Sequence, residues 1–155
     1  MLPENLGSVQ VNYPDWLAVW DRAAVSITTA LCVFLMGSGL LMVLDPSGWH
    51  QSGPGLAAQG GFNPYLIRSV GAANALAATL LDRGLTRPSK RPALWRLASS
   101  WLCARAIVHF IEVSSPAHAF EVATTDAVGV YLPAMMSMVL WKLGTASPRH
   151  LHDGD

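Results

Sequence analysis

Twenty consecutive residues, 25–44, carry no Asp, Glu, Lys or Arg. As a helix rising 1.5 Å per residue, such a stretch covers about 30 Å, the thickness of a bilayer's hydrocarbon core. That single segment constrains the chain more than any other feature. Just before it, Trp16 and Trp20 lie where an interfacial aromatic belt is expected. Acidic residues (Glu4, Asp15, Asp21) precede the apolar run instead of the basic stretch of a cleavable signal, so retention of the N-terminus is expected. Gly37, Ser38 and Gly39 would let a second helix approach closely. Asp45-Pro46-Ser47-Gly48 should end the segment, since proline cannot continue the hydrogen-bond ladder.

Composition agrees. Of the 155 residues, 52% are apolar and 13% charged, where a soluble domain carries about 25% charged residues. Three further apolar segments follow. The second, 64–81, opens with Asn63-Pro64, a capping residue and a proline at the first helical position. Gly71, Ala72, Ala75 and Ala78 give it a small-residue face. The third runs over 92–113, with Ser89 or the loop backbone as its cap. The fourth runs over 126–143, with Thr124, Thr125 and Asp126 as capping residues and Pro133 as a kink. The expected architecture is all-α, an integral membrane four-helix bundle spanning 25–143. It is flanked by an N-terminal segment, 1–24, and a polar tail, 144–155.

Lys and Arg orient the bundle. Arg22, Arg83, Arg87, Lys90, Arg91, Arg96, Lys142 and Arg149 fall on one side of a four-span arrangement, and loops 45–63 and 114–126 contain none. Basic residues stay cytoplasmic. Both termini are therefore expected inside, in a bacterial inner membrane, with the lipid bilayer as the first partner. A formal net charge of zero and the lack of a basic stripe exclude a nucleic-acid partner as an expectation. Cys32 and Cys103 both fall in apolar segments and read as small apolar residues.

The two remaining basic residues, Arg68 and Arg105, lie within the helices. Ionisable groups there are costly and turn toward an interior or a wet cavity. Arg105, His109 and Glu112 fall within about 60° of one another on the third helix. By depth, Arg68 can meet Glu112, Asn74 lies about two turns deeper than Arg68, and Tyr131 adds a hydroxyl from the fourth helix. This cluster, Arg68, Asn74, Arg105, His109, Glu112 and Tyr131, is the candidate site. It admits a polar lock between helices, a pocket for a quinone or another small ligand, or a metal site from His109 and Glu112 with His118 or His50. The last has too few ligands for a standard site. No nucleophile–base pair or phosphate-binding loop is evident, so no catalytic residue is assigned.

NPYLIRSVGAAN at 63–74, RAIVHFIE at 105–112 and DAVGVYLP at 126–133 resemble the DoxX-like family of small bacterial four-helix membrane proteins. The resemblance covers roughly 63–140. It implies a redox-associated membrane protein whose partners carry the redox centres, with quinone as the candidate cofactor, and it assigns no residue a role. The expected function is a non-catalytic membrane subunit or accessory protein, joined to other subunits or to its own copies, and not an enzyme on its own. The alternative is a ligand- or quinone-binding subunit of a membrane oxidoreductase. A small transporter comes third, because the cytoplasmic halves of the helices offer few polar groups.

Overall fold

In the computed structural model the described residues are 15–52, 61–113 and 126–146, with side chains at 22–52, 61–111 and 126–144. They are helical throughout apart from short connections. α1 covers Asp15–Leu44, α2 Pro46–Ser52, α3 Pro64–Thr86, α4 Arg91–Val113 and α5 Leu132–Ala146. A 3-10 turn, Pro88–Lys90, leads into α4, and a π-helical turn, Ala127–Tyr131, leads into α5.

Each boundary has a local cause. α1 begins ten residues earlier than the uncharged run, because Asp15 to Ala24 continue the same helix. It stops at Leu44, as the Asp-Pro dipeptide requires. Pro46 then opens a helix as well as ending one. Asp45 Oδ1 accepts from Gly48 N–H at 2.9 Å and from the Ser47 hydroxyl at 2.9 Å, so the expected loop contains the short α2. Those bonds hold the Asp45 carboxyl below its ordinary value.

α3 starts as its sequence predicts. Asn63 Oδ1 accepts from the N–H groups of Tyr65 and Leu66 at 3.1 and 3.2 Å. It runs five residues past the expected end, to Thr86, because no proline interrupts the ladder before Arg87-Pro88. α4 is entered through the 3-10 turn, with Arg91 N–H bonding to the Pro88 carbonyl and no side-chain cap at the turn.

Before α5, Leu132 N–H reaches back five residues to the Ala127 carbonyl. Pro133 supplies the reason: it has no N–H, and its ring crowds the preceding turn. The wider turn sits where the sequence predicts a kink. Asp126 makes no side-chain cap there, whereas Thr124 and Thr125 lie outside the described residues.

α1 and α3 form the most extensive interface, and α4 joins α3 on one side and α5 on the other. The α1–α3 crossing rests on Gly39 against Gly71. A Cβ at either glycine would stand 2.6 Å from the other's carbonyl oxygen. Ala75 and Ala78 also lie inward, but Ala72 is exposed and Gly37 faces open space.

At the basic end of the bundle Trp95, almost fully buried, is wedged between Gly84 and Gly144. Its indole N–H donates to the Leu81 carbonyl at 3.1 Å, and Arg91 lies over the ring. Leu31, Leu35, Leu81, Leu102 and Leu140 complete the core. Cys32 and Cys103 are free, and the Cys32 thiol points to the Ala78 carbonyl at 3.4 Å.

The outer surface is unusual for a helical bundle. Val33, Leu41, Leu44, Leu76, Ile107, Phe110, Ile111 and Met135 are exposed, whereas Thr28, Asn74, Ser99 and Ser137 are buried. Two stretches, Arg22–Leu44 and Ala127–Gly144, are long and apolar enough to cross a membrane by length and composition. Only 28% of the first and 33% of the second is buried, where the core helix of a soluble protein would be mostly covered. α3 and α4 have 23 residues each, about 35 Å of helix, but carry more charge.

Candidate functional site

Asn74 is the centre of the interior polar network. It is fully buried on the inward face of α3, and its side-chain oxygen accepts from Arg105 Nη1 at 3.2 Å and Trp101 Nε1 at 3.4 Å. Both donors come from α4. They are four residues apart, and so lie one above the other on a single face. The Asn74 amide nitrogen is turned toward the Met42 sulfur on α1, 3.9 Å away. One side chain thereby ties three helices together.

About one turn farther along α4, His109 Nδ1 lies 3.1 Å from Asp126 Oδ2. Asp126 is almost fully buried and sits where the π-helical turn begins. This contact orients the imidazole ring and leaves Nε2 as the second ring nitrogen. Arg105 retains a deficit, because its Nε is buried and has no hydrogen-bond acceptor. An orphaned buried donor costs about 1–3 kcal/mol.

Arg105 and His109 border an open cavity of about 490 Å³, lined by residues of α1, α2, α3 and α4. This is within the range of small-molecule sites. Its walls are mainly apolar (Met42, Leu66, Ile67, Val70, Trp101, Val108), with His50 and Asn63 adding polar groups. His50 stands edge-on to Phe62.

The structure therefore brings together Asn74, Arg105 and His109 from the expected cluster. It places Arg68 elsewhere. Arg68 is exposed, and its Nε donates to the Val43 carbonyl at 3.2 Å, satisfying the last turn of α1, where a cation is favoured. The expected Arg68–Glu112 pair cannot use that Nε–H. The Glu112 side chain and His118 lie outside the described residues. Tyr131 sits in the π-helical turn and does not line the cavity. Among the described residues, no three His, Cys, Asp or Glu side chains come together as metal ligands.

Sequence reasoning missed Asp126, Trp101, Met42 and Trp49. Trp101 carried a usable signal, four residues before Arg105 on one face. Asp126 was legible as a cap, and only the packing of α5 on α4 makes it the partner of His109. Comparison with protein-family models, with curated proteins and with solved structures finds no match to this chain.

Proposed function

We propose that this chain is a non-catalytic integral membrane protein of the DoxX-like kind that binds a small lipid-soluble ligand near the outer face. It crosses a bacterial inner membrane four times with both termini inside. The supporting observation is the cavity itself, an apolar chamber with a half-buried guanidinium and an oriented imidazole on its wall. The apolar exterior of the bundle and the buried polar residues favour lipid as the surrounding solvent. The basic residues at the α3–α4 turn favour a cytoplasmic location for that end.

Reporter fusions at both termini test the topology. Activity of a periplasm-dependent reporter at either end would refute it. For the ligand, the protein is extracted from its native membrane in mild detergent and the bound small molecules are identified by mass spectrometry. A specific lipid-soluble compound is expected with the parent. It should be lost from Ala104→Phe, in which a ring enters the cavity from an exposed wall position. Identical extracts from the two proteins would refute the pocket reading.

A second reading, assembly into a larger complex, is favoured by one observation. Gly37 faces open space on α1, where a partner helix could approach closely. Size measurement of the mildly extracted protein tests it, and a monomer recovered alone argues against it.

A further inference from the structure

The cavity's mouth and its charge narrow the class of ligand. Leu66 and Val108 both form its wall, and they are 59% and 54% exposed on the apolar outer surface. Among the described residues the chamber is thus open beside Leu66 of α3 and Val108 of α4, two apolar side chains. A water-soluble metabolite has no reason to use such an entrance, whereas a molecule with an apolar chain does.

Inside, Arg105 is a cation whose hydrogen-bonded partner is neutral. The Asn74 oxygen it uses is shared with Trp101. Among the described residues the buried carboxylate nearby is Asp126, and it is engaged by His109. No carboxylate among the described residues lies within ion-pair distance of Arg105. A half-buried cation without a close counter-ion is costly, and a carboxylate is the complementary partner of a guanidinium.

Resting on the pocket reading above, we infer that the cavity takes a long-chain carboxylate, with its head on Arg105 and its chain leaving between Leu66 and Val108. Ile67, Val70 and Val108 line the path of the chain. His109, held by Asp126, borders the same space and offers a further polar contact to the head.

The test uses the full chain in phosphatidylcholine nanodiscs. The probe is stearic acid carrying a mid-chain nitroxide, read as quenching of tryptophan fluorescence, since Trp49 and Trp101 line the cavity. Saturable quenching is expected. Palmitic acid should reverse it at a concentration at least about tenfold below that needed for methyl palmitate, the factor that one charge-assisted hydrogen bond supplies. Arg105→Gln should abolish the difference between acid and ester. Ala104→Phe should abolish saturable quenching while leaving Arg105 in place, so it carries the test if the Arg105 variant fails to fold.

Equal displacement by acid and ester from the parent would overturn the carboxylate assignment and leave the pocket standing. Quenching that neither compound can displace would remove the pocket reading as well. Displacement by a phosphatidic acid at lower concentration than palmitic acid would move the assignment from a free carboxylate to a lipid phosphate and overturn the proposal.

Discussion

Replacing Gly39 by alanine probes the contact on which the bundle's largest interface depends. A Cβ there would stand 2.6 Å from the Gly71 carbonyl oxygen and 3.1 Å from the Ala75 nitrogen. Both atoms are backbone, so relief requires α1 and α3 to move apart. Overpacking of this kind costs about 1–3 kcal/mol. The alanine recovers about 1 kcal/mol of helix propensity. Because no flexible side chain can yield, the cost falls toward the upper end, and a net destabilisation of about 1–2 kcal/mol is expected.

The reciprocal change, Gly71→Ala, meets the Gly39 carbonyl and Met42 Cβ at 2.6 Å and should cost as much. Once the helices have parted for one Cβ, the second fits more easily, so the double variant should lose less than the sum. Gly37→Ala is the internal control. Nothing lies within 4 Å of its Cβ position, so it should be neutral or up to about 1 kcal/mol stabilising. Unfolding in mixed micelles by increasing SDS, followed by tryptophan fluorescence, measures all four proteins. Gly39→Ala as stable as Gly37→Ala would refute the reasoning.

Other perturbations follow from the same packing. Gly84→Ala places a methyl group against the Trp95 indole. It should destabilise by about 2–3 kcal/mol in the same SDS titration, with Trp95 emission shifting to the red as the ring loses its wedge. Asn74→Leu removes the acceptor of both Arg105 and Trp101 and should cost about 3–5 kcal/mol. Adding Arg105→Leu should recover much of that, and a double variant no more stable than Asn74→Leu would deny that the two residues act as a pair. Asp45 has its folded value lowered by Gly48 N–H and the Ser47 hydroxyl. Its capping contribution to α2 is therefore complete above the unfolded carboxyl value of about 3.9 and is lost as pH falls through the lower folded value. An NMR titration of the Gly48 amide should show a midpoint below about 3.9, and a midpoint at or above that value would contradict the assigned bonds.

Local chemistry made much of the helical framework legible. An uncharged run of spanning length, Asn63-Pro64 and Asp45-Pro46 mark where helices start and stop, because caps and proline act over three or four residues. The ends that moved are those where no breaker stands. α3 continues through Asp82 and Arg83, and α1 reaches back through Asp15, since charge by itself does not interrupt a helix.

In the candidate site, helical spacing put Arg105 and His109 on one face without any knowledge of neighbours. Depth along the helices suggested Asn74 but could not distinguish the two sides of α3. Arg68 and Asn74 are six residues apart, about 120° from alignment around the axis, so one turns to the end of α1 and the other to the α4 wall.

The sequence by itself determined the helices, the direction of their charge asymmetry and the residue types available for an interior polar network. The tertiary structure decided which of those residues meet. Arg68 closes the last turn of α1, Asn74 joins α1, α3 and α4, and Asp126 leaves its expected capping role to hold His109. The physical reason is one of range. Propensity, capping and hydropathy act within a few residues along the chain. The Gly39–Gly71 approach brings α1 against α3 across the chain, and residues of both helices, with α2 and α4, line the cavity that Arg105 borders.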